Sequence, residues 1–401
     1  MRKLLSVLSI FFAAFQLISC SKTVGTELAS VTDGSAGGYA AAPGPGGGGG
    51  GGGNGGNPGG NPGVVTAGEW NDLDNWDYWK TLLQRDTIKT FPDTWQFYTN
   101  NRITVILKDA NNRLIHDAKI SLNCNGNIVS SRTDNFGKAE LFAGLFQQQF
   151  TLSNFTLTAE YKGQSFNLGS YPSAQSSITA SIPVNKVAND ILDIMFVVDA
   201  TGSMGDELFY LKNELKDVID RAGNQLNGTQ IRMGSVFYQD IGDIYLTRPF
   251  GFTTNPELLN NFINDQSAGD GGDFPEAVDE ALKVAIKDQS WSADAINRIL
   301  FLVLDAPPHQ AEDNLSKIKD AVNEAQKKGI RIIPVSASGI DWETEFFLRF
   351  LSVSTNSTYV FITDDSGIGS PHHVPTVGKY EVEYLNNLMV RLITKYGQDH
   401  N

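Results

Sequence analysis

The feature that most constrains this chain is a short apolar run, ILDIMFVV, at residues 191–198. It ends in a polar turn that carries Asp199, Thr201 and Ser203 on alternate residues. A run of this length, closed by a glycine-containing turn, is typical of a strand that is buried on both faces of a parallel sheet. Apolar residues at helical spacing follow over 208–219. The pattern therefore predicts a carboxylate and two hydroxyls in a strand-to-helix loop, at the edge where open α/β sheets bind ligands.

Strands and helices alternate through the rest of residues 187–401. Gly329 is placed to end one of these helices at its carboxyl terminus. This alternation predicts an α/β fold with a doubly wound, mostly parallel sheet. The predicted strands after the first are 231–238, 244–252, 298–304, 330–335 and 358–362, and the predicted later helices are 256–263, 275–286, 313–328, 343–351 and 380–396.

Three motifs in this region resemble those of one known family. The polar turn resembles the first signature of von Willebrand factor A domains, Asp-x-Ser-x-Ser, in its Asp-x-Thr-Gly-Ser-Met form. Residues 269–277, GDGGDFPEA, resemble the loop that supplies the family's fourth metal ligand. Residues 302–309, LVLDAPPH, resemble the strand end that supplies the fifth. The resemblance covers about half the chain. It implies a Rossmann-like von Willebrand factor A domain at 187–401 with a metal-ion-dependent adhesion site.

The same resemblance implies a set of metal ligands. Ser203 and Thr201 would bind a divalent cation directly, and Asp199 would bind it directly or through water. Asp273 and Asp305 would join them from neighbouring loops. Oxygen donors of this kind suit Mg²⁺, with Mn²⁺ or Ca²⁺ as alternatives.

Two features of this site leave alternatives open. Asp240, at the end of the second strand, could line the same edge, or it could be a solvated carboxylate that caps a turn. The polar turn could by itself be a helix N-cap, but Asp273 and Asp305 at the expected loops favour a metal site.

Many adhesion-type members have Thr where this chain has Asp273. An added carboxylate should hold the cation more tightly and make it a weaker electrophile.

The family resemblance implies that an open coordination position accepts an Asp or Glu carboxylate from another protein. We therefore expect a protein-binding role and not an enzyme. A metal-dependent hydrolase using the same carboxylates and a metal-independent structural envelope protein are the alternatives. The formal net charge of -14 argues against nucleic acid and against an anionic membrane surface as partners.

The N-terminal segment indicates export and membrane anchoring. Residues 1–19 have a basic start and an apolar stretch too short to span a bilayer, as in a signal peptide. The residues Leu-Ile-Ser-Cys at 17–20 resemble a bacterial lipobox. That resemblance implies cleavage before Cys20, lipidation of its sulfur, and anchoring in a bacterial cell envelope; an ordinary secretory signal is the alternative. The Gly-rich composition of 20–68 predicts a disordered tether.

Two further segments precede the α/β region. Period-two alternation over 102–186 predicts a β-sandwich. Its AKISL (118–122) and TDNFGKA (133–139) elements resemble carboxypeptidase-regulatory-like, immunoglobulin-type modules. Residues 69–101 form a Trp-rich connector, whose aromatic side chains could be an exposed binding surface but are expected to pack against a neighbouring domain: Trp70, Trp76, Trp79 and Trp95.

Overall fold

The computed structural model describes residues 62–226, 228–271, 274–367 and 371–400. The predicted signal peptide, Cys20, the tether up to residue 61, and Asp273 lie outside the described residues. None of the described helices is both long enough and apolar enough to cross a membrane.

The chain order of the elements is as follows. The strands are β1 (Thr66–Trp70), β2 (Arg102–Lys108), β3 (Lys119–Cys124), β4 (Asn127–Arg132), β5 (Lys138–Phe142), β6 (Phe155–Tyr161), β7 (Gln164–Tyr171), β8 (Ser177–Ser181), β9 (Ile191–Asp199), β10 (Gln230–Tyr238), β11 (Thr247–Thr253), β12 (Asn297–Leu304), β13 (Ile330–Ser336), β14 (Tyr359–Ile362) and β15 (Val382–Tyr384). The helices are α1 (Trp76–Leu82), α2 (Phe91–Trp95), α3 (Gly205–Gln225), α4 (Pro256–Asn264), α5 (Val278–Lys283), α6 (Glu312–Lys328), α7 (Trp342–Ser354) and α8 (Leu385–Gly397).

An eight-stranded sheet organises the larger part of the structure, in the order β11-β10-β9-β12-β13-β14-β1-β15. Its five central strands run parallel, and β11, β1 and β15 are antiparallel to their neighbours. Side chains of β9 alternate between two apolar clusters, with Met195 and Val197 in one and Ile194 and Phe196 in the other. Helices α5, α6 and α7 cover the first cluster, and α3, α4 and α8 cover the second. This arrangement fits the predicted α/β fold.

The strand β1 was not predicted. The sequence analysis assigned residues 66–68 to the tether and the next two to the connector, but they pair with both β14 and β15. Ala67 is fully buried, and a Cβ added at Gly68 would lie 2.6 Å from the ring of Phe361. Glu214 of α3 holds the chain just before this strand, since it accepts hydrogen bonds from the amides of residues 63–65 at 2.9 to 3.2 Å. Five residues beside a Gly-rich stretch are too few to show strand periodicity.

The Trp-rich segment packs against α7. Trp79 and Trp95 are fully buried, and their rings lie 6.0 Å from the ring of Phe346 and 4.9 Å from the ring of Phe347. The indole nitrogen of Trp79 donates to Thr99 Oγ1 at 2.9 Å. These two rings therefore serve packing and are not available to a ligand.

Residues 102–181 form two smaller sheets, β5-β2-β8 and β4-β3-β6-β7. Both contribute side chains to one apolar core, which includes Val105 of β2 and Leu122 of β3. The unpaired thiol of Cys124 is buried in the same core. The immunoglobulin-type resemblance of this module stays a prediction.

Buried polar contacts join this first module to the amino ends of the parallel strands. Asp117 binds Arg298 at 2.8 Å, and Asn135 accepts from the amide of Asn297 at 2.8 Å. Asp134 binds Arg331 in β13. These contacts place the module at the edge of the large sheet that lies opposite to Asp199.

Candidate metal centre

The polar turn after β9 brings its three oxygen-bearing side chains together. Asp199 Oδ1 accepts hydrogen bonds from the amide and hydroxyl of Thr201, at 2.9 and 2.7 Å. The Thr201 hydroxyl lies 3.2 Å from the hydroxyl of Ser203. The extended backbone at Thr201 directs these alternate side chains the same way. Asp199 and Thr201 are fully buried, whereas Ser203 is exposed, so the cluster opens toward solvent at Ser203.

Asp305 reaches the same edge from the neighbouring strand. It follows β12, which pairs in parallel with β9, and its side chain is almost fully buried. Burial raises the pKa of Asp305 to about 6; a hydrogen bond from Ser203 opposes this shift and the charge of Glu207 adds to it. The structure thus brings together four of the predicted ligands, and the fifth, Asp273, lies outside the described residues.

Glu276 is a candidate ligand that the sequence analysis missed. The sequence pattern placed it in the first turn of a helix, but α5 begins only at Val278, and the Glu276 amide donates to Pro307 O at 2.9 Å. Its side chain is 2% exposed. Burial is the largest cause that raises its pKa to about 9, followed by the charges of nearby aspartates, first Asp199. A second carboxylate three residues after Asp273 in the same loop is the signal that could have identified it.

Three carboxylate oxygens in this cluster are buried without a hydrogen bond of standard geometry: Asp199 Oδ2, Asp305 Oδ1 and Glu276 Oε2. Burial, together with the charge of Asp305, raises the pKa of Asp199 to about 7. The buried hydroxyl of Tyr238 interacts with the Asp199 carboxylate and partly opposes the rise in its pKa. Burying unpaired carboxylate oxygens next to one another is costly, and a bound cation would remove that cost. The residues present therefore fit a divalent cation.

Two hydroxyl groups lie beside these carboxylates, those of Thr201 and Ser203. Within the described ranges, no group of three or more His, Cys, Asp or Glu side chains could hold a metal ion by itself. Thr201 and Ser203 supply neutral oxygens beside the carboxylates, which is the mixture that the sequence motif predicted.

Asp240 lines the edge but already has a partner. Its Oδ1 lies 2.8 Å from His309 Nε2, and its amide donates to Asp243 Oδ2 at 2.9 Å. The side chain is 6% exposed. Asp240 therefore joins the loop after β10 to the loop after β12 at the rim of the cluster.

Hydrogen bonds between loops fix the shape of the cluster. The Gly202 amide donates to Asp270 O at 2.9 Å, and a Cβ at Gly202 would lie 2.5 Å from that oxygen, so only glycine fits there. Gln239 Nε2 donates to Ala200 O at 3.1 Å and to Gly269 O at 2.7 Å. These hydrogen bonds join the loop after β9, the loop after β10 and the loop before α5 into one structural unit, which we call the rim.

Residues 193–370 match the family model of the von Willebrand factor type A domain, which supports a von Willebrand factor A domain in this part of the chain. The chain is 31% identical over 133 residues to a putative ariadne-like RING finger protein of Acanthamoeba polyphaga mimivirus, covering 32% of this chain and 12% of the relative. It is 28% identical over 179 residues to the alpha-protein kinase vwkA of Dictyostelium discoideum, covering 44% and 28%. The chain thus spans less than a third of either relative.

Among solved structures, the chain is similar to proximal thread matrix protein 1 from the mussel byssus. The identity is 16%, the TM-score is 0.35, and the match covers 52% of this chain and 46% of the other.

Proposed function

We propose that the von Willebrand factor A domain binds a protein partner through a divalent cation at the carboxyl edge of its sheet. The observation that carries this proposal is the group of three carboxylate oxygens that are buried without a hydrogen bond of standard geometry beside two hydroxyls. Domains of this family commonly bind proteins. The residues that would hold the cation are Asp199, Thr201, Ser203, Asp305 and Glu276, with Asp273 from the same loop as Glu276.

The bound cation, Mg²⁺ or alternatively Mn²⁺ or Ca²⁺, would supply a positive centre for an Asp or Glu carboxylate of the partner. The Asp199 carboxylate accepts two hydrogen bonds from Thr201 and would supply negative charge to the cation from the buried side of the site. The exposed hydroxyl of Ser203 lies where the partner approaches. The proposed activity is therefore the binding of a partner carboxylate at the cation.

We further propose that Cys20 is lipidated and anchors the chain in a bacterial cell-envelope membrane. The support is the lipobox-like sequence before Cys20 and the Gly-rich composition that follows it. Metabolic labelling with an alkynyl fatty acid should mark the wild-type chain and leave a Cys20→Ser variant unlabelled. Equal labelling of the two chains would contradict the anchor.

Titration calorimetry with Mg²⁺ and Mn²⁺ tests the metal centre. We expect wild type to bind one cation, and Asp305→Asn to bind it at least about tenfold more weakly, because a buried charged donor is lost. Asp77→Asn, an exposed residue in α1, is the matched control and should bind like wild type. Equal binding by Asp305→Asn and wild type would contradict the proposal. Metal-dependent turnover of ester or phosphoester substrates would instead favour the hydrolase alternative.

A further inference from the structure

We infer that the partner segment presents a single carboxylate between bulky apolar side chains and carries no further acidic residue nearby. This inference rests on the proposed function and specifies the chemistry of its partner. It comes from three exposed apolar residues on the loops around the cluster. Ile241, Ile244 and Phe274 are 65%, 75% and 46% exposed.

Two of these residues lie on the loop beside Asp199. Residues 239–246 connect β10 to β11, and the last residue of β10, Tyr238, is in register with Asp199 in the parallel pair. The Ile244 amide donates to Asp270 Oδ2 at 3.1 Å, and Asp270 O in turn accepts from the polar turn. Ile241 follows Asp240 directly. These contacts fix the backbone that carries both isoleucines to the loops of the metal centre.

Phe274 lies on a different loop of the same rim. It is two residues before Glu276, whose amide is held by Pro307 O in the loop after β12. A Cβ added at Gly271, near the start of this loop, would lie 3.2 Å from Thr201 Cβ. Phe274 and the two isoleucines therefore belong to loops that all contact the polar turn or its immediate neighbours.

The charge of the site gives this apolar surface a role. Ile241, Ile244 and Phe274 are exposed on loops that are hydrogen-bonded around one site, so they offer apolar area to a partner that approaches the cation. The cation's own carboxylates neutralise much of its charge, so attraction for a partner carboxylate is weakened. Apolar contacts would then have to supply a large part of the affinity.

Acidic residues on the same rim limit the partner further. Asp240, Asp243 and Asp270 all lie on the loops that carry the apolar residues. Among the described residues, the basic side chain that contacts this group is His309, which lies 2.8 Å from Asp240. A second carboxylate on the partner would meet this negative rim and be repelled. The surface therefore fits one carboxylate with apolar neighbours better than an acidic stretch.

A random cyclic heptapeptide library displayed on phage provides a defined probe. Selection on the full chain in Mn²⁺ should enrich peptides with one Asp or Glu next to Leu, Ile, Val, Phe or Trp, and chelator should abolish their binding. Enriched peptides that lack apolar neighbours, or that carry several acidic residues, would overturn the inference. A failure to enrich any peptide on the metal-loaded chain would overturn it as well.

Variants then locate the binding surface. For Ile241→Ser combined with Ile244→Ser, we expect at least about tenfold weaker binding of a selected peptide, with Mn²⁺ affinity unchanged. Ile128→Ser is the matched control, because Ile128 is also 65% exposed but lies in the first module. Unchanged peptide binding by the double variant would refute the apolar surface. If the wild-type chain binds no cation, the proposed function itself fails, and calorimetry separates that result from the loss of apolar contacts alone.

Discussion

Asp117 of the first module and Arg298 at the start of β12 form a buried, two-point ion pair. Arg298 Nη1 lies 2.8 Å from Asp117 Oδ1 and Nη2 lies 3.3 Å from Oδ2. Arg132, from the first module itself, donates to the same carboxylate at 3.2 Å. The two parts of the chain therefore share a charge network in which Asp117 pairs with one arginine from each part.

We expect Asp117→Ala to lower the free energy of unfolding by about 3–5 kcal/mol, because Arg298 would remain buried without its counter-charge. Urea unfolding followed by circular dichroism measures this. Asp77→Ala is the control, since its ion pair with Lys80 is exposed, and it should change stability little. A loss as small as that of the control would show that the two modules do not depend on this pair.

Substitution of Gly202 should disturb the proposed metal centre through the backbone. Because a Cβ there would lie 2.5 Å from Asp270 O, Gly202→Ala must displace the loop before α5. We expect a loss of about 1–3 kcal/mol in stability and weaker Mg²⁺ binding. Gly205→Ala is the matched control, because nothing lies within 4 Å of its added Cβ and its φ of -56° is helical. Thermal unfolding and calorimetry of the pair would test this, and equal behaviour of the two would contradict it.

Glu276→Gln tests the proposed ligand that the sequence analysis missed. Burial keeps Glu276 neutral at pH 7 in the cation-free fold, although it would ionise in the unfolded chain, so Glu276→Gln should remove this cost and stabilise the cation-free protein. The variant should also weaken Mg²⁺ binding by at least about tenfold, because the cation loses an anionic oxygen. Glu280→Gln is the control, because Glu280 lies in α5 and pairs with Lys317 at 2.7 Å. This variant should leave Mg²⁺ binding unchanged. Unchanged Mg²⁺ affinity in Glu276→Gln would remove Glu276 from the donor set.

The stability of the cation-free protein should fall as pH rises from about 4 to about 9. Burial raises the pKa of Asp305 to about 6, of Asp199 to about 7 and of Glu276 to about 9, whereas these groups ionise near 4 in an unfolded chain. The folded state thus retains protons that the unfolded state has lost, and this stabilisation disappears as pH rises through each raised pKa.

Melting temperatures from pH 5 to pH 9 check this dependence. They should decline in chelator and stay nearly level in saturating Mg²⁺, because the cation favours the ionised carboxylates. Glu276→Gln should flatten the decline above pH 7. A melting temperature in chelator that rises over this range would contradict the assignment.

Trp79→Ala should destabilise the protein by about 3–5 kcal/mol, because it empties a fully buried site against Phe346 and leaves Thr99 Oγ1 without its donor. Trp342→Ala is the control, since that side chain is 46% exposed, and its effect should be much smaller. Chemical denaturation distinguishes the two. If Trp79→Ala lost as little stability as Trp342→Ala is expected to lose, the Trp-rich segment would contribute little to folding.

The sequence predicted those features of the site that follow from strand ends. A buried parallel strand followed by alternate polar residues placed Asp199, Thr201 and Ser203 together. Asp305 was implied by the family resemblance, and the structure shows that it follows the strand adjacent to β9. Glu276 escaped prediction because a glutamate just after Pro275 has the appearance of a helix first turn, and only the contact with Pro307 shows that the helix starts later.

Two parts of the fold could not be predicted from local patterns. Strand β1 derives its stability from partners about 290 residues away in sequence, such as Val360 opposite Glu69, and its own residues carry no periodic signal. Docking of the first module depends on single polar residues, such as Asp134 and Asn135, which in sequence look like an ordinary turn.

Glu214 fastens the amides of Gly63, Val64 and Val65 at the point where the described chain enters β1. Since β1 lies between β14 and β15, any pull exerted on the preceding residues would be transmitted straight into the large sheet and not into a peripheral loop. Under tension, the hydrogen bonds of this strand would have to rupture on both flanks together. Loss of this strand would therefore break the pairing of two neighbouring strands at once and divide the sheet between β14 and β15.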